Sequence, residues 1–230
     1  MTIDRIVFTG DIFRPNRDGS RNPQEQNLRW LAGLLGPFVE EATGLPVTVA
    51  TADAVSGSFG ALYAEAGLSP DLDNWAALYE TLPETRADRL SDAFATALVI
   101  GFELPPSLRA LLARRDIPCV DVVLHPVRYM ADLFFGFDSD TPGIAARLEA
   151  YAMSESAARV ATAPLRAHAA RHARPDLPRD TVLFIGQASI DRSMISGGRF
   201  LRPADYADRL VSLIEAGAVH DTVAASLHPV

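Results

Sequence analysis

Ala97-Leu98-Val99-Ile100-Gly101-Phe102-Glu103 is an apolar run with no polar break until its last residue. That is the pattern of a strand covered on both faces. Pro105-Pro106 come next, followed by a helical pattern over Leu108 to Arg115. A further strand then runs from Val120 to Leu124 and stops at His125-Pro126. Strand, helix and strand in this order imply parallel pairing, and the rest of the chain repeats the alternation. Ile6-Val7-Phe8-Thr9-Gly10-Asp11 reads as the first buried strand, with a helix from about Gln24 whose Leu28, Leu31, Leu35 and Val39 keep one face. Gly44 and Pro46 end that helix, and Leu45 to Ala50 form the next strand. Ser56-Gly57-Ser58 is expected to be a loop, and Phe59 to Ser91 mainly helix broken at Pro70 and Pro83.

Beyond Pro126 the pattern predicts helix from about Ile144 to Arg174. Arg174-Pro175-Asp176-Leu177-Pro178 reads as a linker dividing a unit over 1–175 from a second over 176–230. Thr181 to Gln187 carries the strongest strand signal of the chain. A helix over Pro203 to Ala216 and an apolar run from Val223 to Leu227 follow. The expected fold is α/β, a parallel sheet with helices on both faces.

Composition narrows the function. The chain has 230 residues, 48% of them hydrophobic, enough for a substantial core. A net charge of −8 argues against binding nucleic acid nonspecifically, which needs a basic face. All 21 basic residues are arginine, whose planar fork suits carboxylate and phosphate. The first residues, Met1 to Phe8, are too short and too charged for a signal peptide, and no apolar run approaches the ~20 residues of a membrane helix. A cytoplasmic protein is expected. Cys119 is the single cysteine and sits in a strand-like run, where it reads as a small buried hydrophobe rather than a nucleophile.

The chain has no Walker loop, no GxGxxG after its first strand, no GxSxG elbow and no HExxH. What remains is a set of polar residues at strand ends, where parallel sheets bind ligands. These are Asp11 with Arg14, Glu103, His125 with Arg128, and Gln187 with Asp191 and Ser193. Glu103 reads either as a general base or as a loop residue capping the next helix. His125 and Arg128 read either as an anion site or, for His125, as a histidine satisfied by backbone. Asp191 is a candidate nucleophile or base, and Ser193 a phosphate contact, in a stretch that also reads as an ordinary surface loop. Gly197-Gly198 adds backbone freedom beside Arg199 and Arg202. Asp132 and Asp138 are expected to face solvent, and the aromatic residues between them to be core or interdomain surface. His168 and His172 share a helix face at metal-ligand spacing, but read as a solvated face, so no metal site is expected.

Together these segments resemble a family. Phe102-Glu103-Leu104-Pro105-Pro106, Ile117-Pro118, His125-Pro126-Val127-Arg128-Tyr129-Met130-Ala131-Asp132-Leu133, Phe184-Ile185-Gly186-Gln187 and Asp191-Arg192-Ser193 resemble motifs of the bacterial retaining β-Kdo transferases of capsule and lipopolysaccharide assembly. Leu227-His228-Pro229 is similar to their strand-end His-Pro motif. The resemblance implies a GT-B architecture of two Rossmann-like domains, CMP-Kdo as donor substrate with no cofactor, and a glycan as acceptor. It implies Asp191 as nucleophile, Glu103 as acid/base and His228 on the donor phosphate, with Gln187, Ser193, His125, Arg128, Asp11 and Arg199 as further substrate contacts. In that family a long stretch of sheet and helix follows the His-Pro motif, so the second domain is expected to be incomplete here. A partner chain that completes the fold, or peripheral membrane association, stays open. Two rivals also stand: a noncatalytic glycan- or nucleotide-binding module, and an unrelated α/β hydrolase or phosphatase acting through Asp11.

Overall fold

The computed structural model of the chain describes residues 2–19, 24–124, 134–171 and 190–216, apart from the side chains of 85 and 86, together with the backbone of 182–185 and 223–226. In chain order the elements are β1 (Arg5–Gly10), α1 (Gln24–Thr43), β2 (Val47–Val49), α2 (Ala52–Ser56), α3 (Phe59–Ala64), α4 (Leu72–Glu80), α5 (Glu84–Phe94), β3 (Ala97–Phe102) and α6 (Pro106–Arg114). They continue with β4 (Cys119–Leu124), β5 (Phe135–Asp138), α7 (Pro142–Glu149), α8 (Glu155–Arg171), β6 (Val182–Ile185), β7 (Ile195–Ser196), β8 (Arg199–Phe200), α9 (Ala207–Glu215) and β9 (Val223–Ser226).

The central sheet has five strands in the order β2-β1-β3-β4-β5. The first three pairings are parallel, and β5 closes the edge antiparallel to β4. Both faces are covered. On one, Leu28, Leu31 and Ala32 of α1 pack on Ile6, Phe8, Ile100, Phe102 and Val122. On the other, α3 to α6 bring Leu62, Trp75, Leu78, Leu90, Leu108, Leu111 and Leu112 against Val7, Val99 and Cys119. Each such fully buried side chain stabilises the fold by roughly 1.5–3 kcal/mol. This is a Rossmann-like α/β arrangement, as the alternating pattern implied.

Local chemistry sets the element ends. The αL glycine Gly44 follows α1, and Thr51, Ser58 and Asp71 cap α2, α3 and α4 through their side-chain oxygens. Pro106 opens α6 where its missing N–H costs nothing. Within β3 the absence of a Cβ at Gly101 is obligatory, because the Leu104 side chain folds back into that space.

Three departures from the sequence reading stand out. Residues 135–138 form an edge strand, not only an aromatic cluster; two phenylalanines around Gly136 suit a pleated edge. The helix expected from Ile144 to Arg174 is two helices, α7 and α8, neither with a buried residue. The 181–187 run supplies β6, which joins no strand of the five-stranded sheet among the described residues but pairs in parallel with β9. The proposed linker at 174–178 lies outside the described residues. Among those described, no helix is long and apolar enough to cross a membrane.

Candidate functional site

From β1 the chain moves outward to β2, then returns to place β3 on the other side of β1. In open parallel sheets, ligands bind outside the carboxyl ends of the strands at such a reversal. Gly10 is in register with Phe102, so Asp11 and Glu103 leave the sheet side by side. A small cleft of about 30 Å³ lies at these ends, lined by Gly10, Asp11, Thr51, Phe59, Phe102 and the first turns of α1.

Asp11 is 7% exposed. Its Oδ1 accepts the Phe13 N–H at 3.1 Å, and its Oδ2 accepts the Trp75 indole N–H at 2.9 Å. Burial nevertheless dominates and pushes its carboxyl up to about 6, against the lowering effect of those bonds and of Arg14 and Arg192. Trp75 is fully buried on α4, and the Arg14 guanidinium stands over its ring at 5.1 Å from the centroid.

Glu103 adopts φ 53°, a left-handed conformation uncommon outside glycine and worth attention at the end of a strand. Neighbouring bonds hold it there. Its N–H donates to the Val122 carbonyl at 2.9 Å, and the next N–H, of Leu104, donates to Asp121 Oδ1 at 3.0 Å. Its side chain is paired with Arg192, Nη2 to Oε1 at 2.8 Å, while Arg192 Nη1 also donates to the Glu103 carbonyl at 3.2 Å. Asp121, buried in the middle of β4, is pushed up to about 6, chiefly by desolvation.

Arg192 belongs to the segment after β6. Asp191 caps a short 3₁₀ turn over Arg192–Met194, its Oδ1 accepting the Ser193 N–H at 2.8 Å. Burial pushes the Asp191 carboxyl up, but the Ser193 hydroxyl and N–H, with Arg192 and Arg14, outweigh it and hold the group below the usual carboxylate range. A hairpin then fastens the segment to α4. Gly197 and Gly198 both have positive φ, 62° and 71°, as a tight two-residue hairpin turn requires. The Gly198 N–H donates to Glu80 Oε2 at 2.5 Å, Ile195 is buried, and the Phe200 ring lies 5.5 Å from that of Trp75. Those glycines, read from sequence as flexible backbone, form a defined turn.

Of the residues singled out from sequence, Asp11, Glu103 and the Asp191-Arg192-Ser193 segment thus come together. Arg199 is 59% exposed and paired with Asp205 at 3.1 Å, and Ser193 is exposed. Gln187, His125, Arg128 and His228 lie outside the described residues, as do Asp132 and His172. Asp138 faces solvent as expected, but also pairs with Arg109 at 2.8 Å, which binds Asp140 at the same distance and so ties β5 to α6. Cys119 is buried and its thiol pushed up to about 12, first by desolvation. Trp75 and Asp121 were not singled out, and Arg192 was part of a quoted motif without a role of its own. The signal available for Asp121 was a carboxylate interrupting the run Cys119 to Leu124; Trp75 gave none. A larger groove of about 680 Å³ runs along β5, α7 and α8, but Phe135, Phe137, Leu148 and Tyr151 make it mostly apolar.

The chain matches no protein-family model, no curated protein and no solved structure.

Proposed function

We propose that the chain is a glycosyltransferase that moves Kdo or a related acidic sugar from a CMP-activated donor to a glycan acceptor, with retention of configuration. The observation that supports this most is the seating of the Asp191-Arg192-Ser193 segment beside the ends of β1 and β3, through the Arg192–Glu103 pair. It puts a carboxylate that stays ionised, Asp191, in the neighbourhood of one that holds a proton to higher pH, Asp11. Groups with such separated proton affinities suit nucleophile and proton carrier respectively.

In the first displacement an Asp191 oxygen bonds to the anomeric carbon, and the bond from that carbon to the CMP phosphate oxygen breaks, its electron pair leaving with CMP. In the second, the acceptor hydroxyl attacks the same carbon and releases the Asp191 carboxylate. The hydroxyl proton passes to Asp11. Glu103, the acid/base implied by the resemblance, is held by Arg192 and acts here by positioning that guanidinium. Hydrolysis through an Asp11 nucleophile fits less well, because burial raises the proton affinity of Asp11, which suits a proton carrier more than an attacking carboxylate.

Release of CMP from CMP-Kdo, followed with and without an acceptor glycan, tests the reading. The expected result is release by the wild-type chain and a loss of at least ~10³-fold in Asp191→Ala, on the scale of removing a covalent nucleophile. Equal rates in the two proteins, or no release together with no thermal stabilisation by CMP, would discard it.

A further inference from the structure

Arg14 lies in the loop after β1 and is half-buried. Its guanidinium rests on Trp75, a ring that is itself immobilised by burial and by its bond to Asp11. The contact engages the ring through the charge of the guanidinium and does not use up its five N–H donors as a carboxylate partner would. Among the described residues those donors make no hydrogen bond and no ion pair. The other arginines around the sheet ends are committed: Arg192 to Glu103, Arg109 to Asp138 and Asp140, Arg199 to Asp205. The two carboxylates that sense its charge do not bond to Arg14 either. Asp11 is bonded to Trp75 and Phe13, and Asp191 to Ser193. Yet both sense its charge, which helps lower the proton affinity of each. A cation fixed on a buried ring just past the carboxyl end of β1, with donors unpaired among the described residues, suits an external oxyanion.

We propose that Arg14 is the oxyanion-recognition residue of this site, its free fork taking a carboxylate or phosphate group of the ligand. The choice of ligand rests on the transferase reading: the oxyanion is either the carboxylate of the acidic sugar or the phosphate of its donor. Arg14, not Arg199, is then what separates an acidic sugar from a neutral one.

Trp75 reports on this directly. The chain has two tryptophans, so Trp30→Phe, at a 45% exposed position, leaves Trp75 as the sole emitter. That protein is titrated at fixed ionic strength with Kdo, CMP, inorganic phosphate and mannose. The expected result is a saturable change in emission with at least one of the anions and none with mannose. Arg14→Gln raises the dissociation constant at least tenfold, Arg14→Lys weakens binding without abolishing it, and Arg159→Gln, on the exposed face of α8, leaves it within twofold. A response to Kdo alone assigns the carboxylate, and a response to CMP and phosphate alone assigns the phosphate. Circular dichroism and the binding retained by Arg14→Lys separate loss of recognition from loss of fold. Unchanged affinity in Arg14→Gln, or no emission change with any anion, overturns the proposal. Arg14-dependent anion binding without CMP release from CMP-Kdo would keep this assignment and remove the transferase reading. CMP release with an unaltered KM in Arg14→Gln would do the reverse.

Discussion

Asp11 is the residue whose environment departs furthest from what its neighbours in sequence suggest. Thr9-Gly10-Asp11 reads as a strand-end turn, and the position of Asp11 at the carboxyl end of β1 was legible from the stop in apolar residues. Its desolvation was not, because the residue that covers it, Trp75, arrives from a helix far along the chain. The same holds for Glu103: its place after β3 is written in the sequence, whereas its ion pair needs Arg192. The burial of Asp11 has a consequence for stability. A carboxyl at about 6 in the folded chain and 3.8 unfolded binds its proton more tightly when folded. Stability from this group is therefore fully present below about pH 4, falls as the pH rises through about 4 to 6, and is flat above. At pH 7 the ionised form costs about 3 kcal/mol, from ~1.4 kcal/mol per pH unit. Asp11→Asn removes that cost but leaves one N–H partner less well satisfied, at about 1 kcal/mol. The variant is expected to melt ~4–8 °C above wild type at pH 7.5 and to lose that advantage near pH 4, while its CMP release falls. Melting curves across that range check it; a difference from wild type that does not vary with pH would remove the buried-carboxylate account.

The elements that could be read from the sequence are those defined by their own pattern. β1, β3 and β4 are apolar runs, and α1 carries its stripe of leucines and a glycine stop, so none of them needs a partner to be recognised. β5, β7 and β8 are short, and each exists because of something distant: β5 because Arg109 and β4 hold it, the β7–β8 hairpin because α4 does. The partner of β6 was likewise hidden, since pairing with β9 is a long-range choice between similar apolar runs. That hairpin is also the element through which Asp191 and Arg192 are delivered. Phe200 packs on Trp75, which in turn carries Asp11 and Arg14. Truncating a half-buried phenylalanine costs about 1–2 kcal/mol, less than the 3–5 kcal/mol of a fully buried one. Phe200→Ala is therefore expected to lower the melting temperature by only a few degrees, yet to reduce CMP release at least tenfold by freeing the Asp191 segment. If release were unchanged while the hairpin became susceptible to limited proteolysis, the hairpin would have no part in positioning the site.

Across the whole molecule, buried apolar residues are distributed unevenly. They fill both faces of the central sheet between Ile6 and Val122, while α7 and α8 bury none. Among the described residues β6 and β9 pair only with each other, linked through the amphipathic α9, in which Leu210, Leu213 and Ile214 are half-buried and Val211 is 52% exposed. Two strands by themselves are marginal in water, because so little surface leaves it when they pair. An opening that exposes little apolar area costs little free energy, so such a unit opens long before the sheet does. Native-state hydrogen exchange resolves the two. Amides of Ile6 to Phe8 and Val99 to Ile100 sit in the ladder between β1, β3 and β4, and are expected to exchange only through global unfolding. Those of β6, β9 and α8 are expected to exchange at least ~10²-fold faster, a gap of roughly 3 kcal/mol at ~1.4 kcal/mol per decade. Low denaturant should then accelerate the first set steeply and the second hardly at all, since the slope follows the surface exposed. Equal protection in both sets would mean that β6, α9 and β9 unfold with the central sheet as one cooperative body, and the division of the chain near residue 175 would fall.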